Sequence, residues 1–128
     1  MQTFQNIIFV GFGGFIGSVL RYLASGWVHH IFKTSSFPVG TAIVNITGCL
    51  VIGLLGGWVE NLQTFNPHAR LFLFLGLLGG FTTFSTFGYE TIALLRDKEL
   101  AMAFVNVAMQ LLLGFGAVLI GFNCSKLF

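Results

Sequence analysis

Asp, Glu, Lys and Arg are absent from residues 1 to 20, 34 to 59, 71 to 89 and 100 to 125 of this 128-residue chain. Each run reaches roughly the 20 residues that an α-helix needs to cross the hydrocarbon of a bilayer. Inside hydrocarbon a backbone has no water to bond to, so such runs must close their hydrogen bonds within themselves, as helices. Charged residues make up 8% of the chain against 55% hydrophobic, whereas a soluble domain carries about 25% charged residues. The expected fold is therefore all-α and integral to the membrane. It is a single transmembrane domain over residues 1–128, with four spans near 4–31, 38–59, 70–95 and 100–122.

The loops left over cannot build a catalytic or ATP-hydrolysing module. The chain is thus expected not to be an enzyme, and any transport is passive or coupled to an ion gradient. Met1-Gln2-Thr3-Phe4-Gln5-Asn6 carries no basic segment, and no small-residue cleavage site follows before Arg21, so the first span is expected to be retained rather than removed as a signal. Cys49 and Cys124 lack metal-ligand spacing and read as small packing residues. His29, His30 and His68 lie near span ends without a metal-like arrangement.

Both termini and the loop of residues 61–69 fall on one side of the membrane, with Arg70 and Lys126. The other side holds Lys33, Arg96 and Lys98, joined by Arg21 if that side chain snorkels outward. Lys and Arg near span ends set orientation, and this near balance admits insertion in both senses. Four helices enclose too little interior for a pathway, so an oligomer is expected. An antiparallel homodimer with its two-fold axis in the membrane plane fits the charge count, and so does a parallel oligomer.

Span 3 contains Gly79-Gly80-Phe81-Thr82-Thr83-Phe84-Ser85-Thr86-Phe87, where lipid would favour Leu and Ile. Non-helical backbone and clustered hydroxyls persist at that depth only when buried in protein or lining a cavity, so a broken third helix is expected. Phe84 and Phe87, three apart, stack along one face if the residues after the break are helical. Glu90 reads either as a membrane-buried proton carrier or as an interfacial residue paired with Arg96, and its place at the span's end favours the second.

The other spans hold fewer polar groups. Gly13 and Gly17 in span 1 form a small-xxx-small pair suited to close helix approach. Arg21 either snorkels or faces a vestibule. In span 2, Thr41, Asn45 and Gly48 share one helical face. The Asn45 amide needs partners for its donors and acceptor, whether in a helix-to-helix bond, a cap on the break in span 3, or an anion. Asn106, Gln110 and Gly114 make one stripe along span 4, reading either as glue between helices or as a polar track.

An Asn amide, Ser and Thr hydroxyls and Phe rings, with an Arg nearby and no carboxylate at mid-membrane, suit an anion better than a cation. A ring's edge is positive and its face negative, so a small hard anion fits between Phe edges and hydroxyl or amide donors. Carbonyls exposed where Gly79 to Thr82 leave helical geometry suit a hard cation held as a fixed structural ion. The rival of another class is a small proton-coupled multidrug exporter of the four-helix dual-topology type. It requires a deep carboxylate, for which Glu90 is the only candidate. A membrane scaffold is a third reading, which accounts for the glycines but not for the hydroxyl and Phe cluster.

Three segments in order, Gly13-Gly14-x-x-Gly17-x-x-x-Arg21-Tyr22, Gly40-Thr41-x-x-Val44-Asn45-x-x-Gly48 and Gly79-Gly80-x-Thr82-Thr83-Phe84-Ser85-Thr86-Phe87, make the chain resemble the CrcB or Fluc family of fluoride channels. That resemblance implies a dual-topology antiparallel homodimer in the bacterial cytoplasmic (inner) membrane, with the lipid bilayer and a second copy of the chain as its partners and no nucleic acid. It implies two pathways that passively export fluoride and lower its toxicity, the ion having entered as neutral HF and dissociated in the cytoplasm. By the same resemblance Asn45, Phe84 and Phe87 line the fluoride pathway, with Ser85 and Thr86 as hydroxyl donors and Arg21 at a vestibule. A structural sodium ion at the dimer centre maps to the backbone carbonyls of Gly79 and Thr82. Span 4 departs from the pattern: Asn106 and Gln110 stand where the family often has Tyr then Ser, and they retain hydrogen-bonding capacity along the pathway.

Overall fold

The structure is a computed structural model that describes residues 1–33, 36–62 and 65–127. Four helical spans, each long and apolar enough to cross a bilayer, account for nearly all of it. Helix α1 (Gln2–Ile31) and helix α2 (Val39–Leu62) are continuous. The third span, Pro67–Arg96, is segmented. It begins as a short turn, α3 (Pro67–Arg70), widens into a π-helix (Leu71–Leu78), closes through α4 (Gly79–Phe81), and restarts as α5 (Phe84–Arg96). Helix α6 (Leu100–Cys124) forms the fourth span and runs on into a 3₁₀ turn, Ser125–Leu127.

The start of span 3 is set locally. The Asn66 Oδ1 accepts the Ala69 N–H at 2.8 Å, and Pro67 occupies the first helical position, where its missing N–H costs nothing. The turn between α5 and α6 is equally local. Lys98 has φ 62°, its N–H donates to the Leu95 carbonyl and the Glu99 N–H donates to the Leu94 carbonyl. This is a left-handed helix end in which a lysine takes the place usually held by glycine.

Two ladders of small residues hold the spans in pairs. A Cβ placed on Gly13 would meet the Phe72 carbonyl at 2.5 Å, one on Gly17 would collide with the Leu77 carbonyl, and one on Gly80 would meet the Gly14 carbonyl at 2.6 Å. The Gly13 and Gly17 pair of α1 thus faces Gly76 and Gly80 of span 3, also four apart, and the two backbones touch. Helices α2 and α6 repeat the device. A Cβ on Gly53 would collide with the Val118 carbonyl, one on Gly121 with the Leu50 carbonyl, and one on Gly57 with the Ser125 hydroxyl. Between apolar helices in lipid no hydrophobic drive remains, so close backbone packing supplies the association.

Interior and surface are divided accordingly. Many buried positions are small or polar, including Ala42, Val44, Ala103, Thr41 and Asn106, joined by Leu78, Phe87 and Leu94, while Phe4, Phe12, Phe15, Leu112 and Phe115 project outward. The two pairs meet at Gly40 against Ser25 and at Gly48 against the methyl of Thr82. This brings α2 directly onto the interruption in span 3.

Gly17→Leu is expected to abolish recovery of monodisperse protein in detergent, because the overpacking cost of about 1–3 kcal/mol falls on backbone that cannot give. Gly11→Leu, where an added Cβ meets nothing within 4 Å, is expected to leave recovery unchanged. Size-exclusion profiles of the two variants check this.

Candidate functional site

Helical geometry survives further into the glycine segment than the sequence suggests. Gly79 has φ −63° and ψ −35°, and Gly80 is used for packing against α1. The chain leaves the helix at Thr82 (φ −84°, ψ 159°) and Thr83 (φ −151°, ψ 112°). Two extended residues in mid-span strand backbone groups that a continuous helix would pair, and an unpaired group is costly in hydrocarbon.

Asn45 resolves that cost at Thr83. Its Oδ1 accepts the Thr83 N–H at 2.8 Å, and its Nδ2 donates to the Thr83 carbonyl at 3.1 Å. The carboxamide pairs with Thr83 as a neighbouring strand would. On the far side of Thr83 the side chain takes over: its Oγ1 accepts the Thr86 N–H at 3.2 Å and caps α5. The same hydroxyl donates to Thr86 Oγ1 at 2.9 Å and lies 3.3 Å from Ser85 Oγ. Thr83 stands in the third motif but was not singled out for a role, although a Thr directly before a helical run is a recognised start signal.

A cavity of about 330 Å³ opens on one side of the break. Its walls include Asn45, Gly79, Thr82, Phe84, Phe87 and Gln110, and among the described residues no charged side chain lines it. The Phe84 and Phe87 rings lie 5.6 Å apart between centroids, tilted by 58°. Phe87 is buried at 9% exposure, whereas Phe84 stands out at 82%. A second cavity of about 360 Å³ lies on the other side, lined by Ser18, Arg21, Ser25, Thr41, Thr83 and Thr86 among others. Thr83 belongs to both walls. The candidate residues are therefore divided. Asn45, Phe84, Phe87 and Gln110 share the first cavity, Arg21 and Thr86 share the second, Ser85 is exposed, and Asn106 is wholly buried behind Gln110.

Asn106 and Gln110 continue the polar chain from Asn45. Asn45 Nδ2 donates to Gln110 Oε1 at 2.7 Å, Gln110 Nε2 donates to Asn106 Oδ1 at 2.9 Å, and Asn106 Nδ2 donates to Thr91 Oγ1 at 2.9 Å. Thr91, which sequence reasoning passed over, donates in turn to the Phe87 carbonyl at 2.8 Å. Both amide hydrogens of Asn45 are thereby engaged, one by Thr83 and one by Gln110.

Glu90 does not meet Arg96. Its Oε1 accepts from the Thr41 hydroxyl at 2.7 Å, and its Oε2 is buried without a partner. With Thr41 and Thr86 it lines a third cavity of about 370 Å³.

The break also frees carbonyls. In a continuous helix the Thr83 N–H would bond to Gly79 and the Thr86 N–H to Thr82, but here they go to Asn45 and to the Thr83 hydroxyl. The Gly79 and Thr82 oxygens are left without those donors, and both residues line the same cavity. Neutral backbone oxygens of this kind are the ligands a hard cation accepts, so the residues present are chemically suited to one.

The fold and site together define a small polytopic membrane protein of the channel or carrier type, with its third span broken around an uncharged cavity. The chain belongs to the family described as CrcB-like protein, Camphor Resistance (CrcB), which it matches over residues 8–122. It is similar to the Fluoride-specific ion channel FluC of Clostridium novyi (strain NT), at 44% identity over 127 residues, covering 99% of this chain and 98% of that protein. It is also similar to the Fluoride-specific ion channel FluC 3 of Methanosarcina barkeri (strain Fusaro / DSM 804), at 44% identity over 116 residues, covering 91% of this chain and 86% of that protein. The Fluoride-specific ion channel FluC of Flavobacterium psychrophilum is 38% identical over 122 residues, covering 95% and 98%. The family match lends no support to the exporter reading.

Asn45→Leu is expected to lower the thermal midpoint of the detergent-solubilised protein, since it strands the Thr83 N–H and carbonyl at about 1–3 kcal/mol for each unpaired group. Ser85→Ala, at an exposed hydroxyl, is expected to leave the midpoint in place. Thermal unfolding followed by tryptophan fluorescence compares the two.

Proposed function

We propose that this chain is a fluoride-selective passive ion channel that exports cytoplasmic fluoride from the cell and lowers its toxicity. The observation that carries the reading is the uncharged cavity at the break, where Phe84 and Phe87 stand beside Asn45 and the start of α5. A helix start presents unpaired N–H groups and positive potential, which favours an anion. Positive ring edges add to that. The second cavity, with Arg21 and the Thr86 hydroxyl, supplies a vestibule of the same electrostatic sign. The names of the similar proteins from Clostridium novyi and Flavobacterium psychrophilum support the ion chosen.

In this reading Phe84, Phe87, Asn45 and Gln110 line the path, and Ser85 and Thr86 offer hydroxyls along it. Asn106 supports that wall from behind. The functional unit is an antiparallel homodimer with two pathways, inserted in both orientations in the cytoplasmic membrane. Phe84, largely exposed on the single chain, calls for a second copy to enclose it. The Gly79 and Thr82 carbonyls would hold a sodium ion at the dimer centre, where it would supply a fixed positive charge.

Purified protein in liposomes is expected to release fluoride down its gradient and to exclude chloride; absence of fluoride efflux overturns the reading. Phe84→Leu and Phe87→Leu are each expected to cut fluoride efflux by about twofold to twelvefold, as loss of an aromatic contact of about 0.5–1.5 kcal/mol implies, while the assembled dimer persists. Unchanged efflux in both variants removes the rings from the pathway. A topology reporter fused to the C-terminus is expected to give signal from both compartments, and signal from one alone rules out dual insertion.

A further inference from the structure

The amides of Asn45, Gln110 and Asn106 form a relay whose direction is fixed along its whole length. The Thr83 N–H can only donate, so the Asn45 atom facing it at 2.8 Å is the oxygen. Asn45 therefore turns its NH₂ toward the Thr83 carbonyl and toward Gln110. Gln110 must answer with its oxygen, which leaves its NH₂ for Asn106 Oδ1. Asn106 must answer in the same way, which leaves its NH₂ for the Thr91 hydroxyl. Thr91 then donates to the Phe87 carbonyl. Flipping Asn45 or Gln110 alone would set like atoms against each other at each of that amide's own junctions. The relay starts at the extended residue of the break and ends four residues past it, on the backbone of the buried Phe.

We propose that Gln110 and Asn106 are positioning residues. Through this relay they hold the Asn45 carboxamide in the one orientation that seals the Thr82–Thr83 break, and they tie that orientation to Phe87. Burial favours this role for Asn106: at 0% exposure it sits behind Gln110 and reaches the cavity only through it. A half-satisfied network in low dielectric is costly, so the members hold their places together. An alternative in which each amide meets the ion independently predicts no effect of Asn106 on Asn45, because Asn106 makes no hydrogen bond to Asn45 or Thr83.

The test is side-chain amide NMR of ¹⁵N-labelled full-length protein in bicelles without fluoride, combined with fluoride efflux from liposomes. The efflux measurement rests on the channel reading, whereas the NMR measurement does not. Asn106→Leu and Gln110→Met are both expected to shift the Asn45 side-chain amide resonances. Gln110→Met is also expected to slow fluoride efflux by about tenfold, the scale of one hydrogen bond lost. Thr91→Val removes the relay's last side-chain link while keeping side-chain shape, and it is expected to move the same resonances in a protein that still folds. Asn45 resonances unmoved in both Asn106→Leu and Thr91→Val overturn the relay, whatever the efflux. Asn45 resonances that move while Gln110→Met conducts at the wild-type rate overturn its part in conduction. If the unaltered protein conducts no fluoride, the channel reading fails and the NMR result stands by itself.

Discussion

A helix interrupted inside hydrocarbon must have every stranded backbone group paired by something other than water, and this chain arranges that at Thr83. The Asn45 carboxamide takes both the N–H and the carbonyl of that residue, and the Thr83 hydroxyl caps the helix that follows. Without these bonds the break would leave unpaired backbone groups within the span, each costing several kcal/mol in lipid. The cavity, the helix start beside it and the freed carbonyls of Gly79 and Thr82 all follow from holding two extended residues open at that depth.

The glycines make such an arrangement reachable. For Asn45 to meet Thr83, α2 must press onto the break, and Gly48 against the Thr82 methyl leaves room for it. The first half of span 3 must in turn be held still, and its backbone lies directly on α1 through the ladder of Gly13, Gly17, Gly76 and Gly80. Apart from the buried Leu78, Phe87 and Leu94, the large aromatic and aliphatic side chains contribute little to this interior. They face outward, where lipid is as apolar as they are. Rigidity comes from backbone contact and from a short run of hydrogen-bonded amides, Asn106 buried and Asn45 and Gln110 half-buried.

Span 4 shows how polar capacity is put to use when side chains change. Asn106 and Gln110 stand where the resembled family often has Tyr then Ser. Four residues apart on α6, they fall one above the other on the helix face, the spacing at which two amides can hydrogen-bond. Seen as a stripe in the sequence, they fit a track for an ion and glue between helices equally well. In three dimensions they join Asn45 to Thr91 in one directed chain, because that order sets a donor against an acceptor at each junction.

Much of this was legible from residue chemistry. Charge-free runs of membrane length required four helices, and hydroxyls crowded beside Gly79 and Gly80 required an interruption in the third. Asn45 stood out because an amide at that depth must be partnered. Three things depended on contacts between distant parts of the chain. The break falls at Thr82 and Thr83 rather than at the glycines, since Gly80 is needed as a helical contact for Gly14. Glu90 turns to Thr41 of another helix instead of to Arg96 in its own span, as only folding brings α2 alongside α5. Asn45 meets Thr83, 38 residues along the chain. By itself the sequence determined how many times the chain crosses the membrane and where a helix could not continue, because length and polarity in hydrocarbon are local properties. Tertiary structure alone decided which groups pay for that discontinuity, because hydrogen-bond partners are chosen by distance in space.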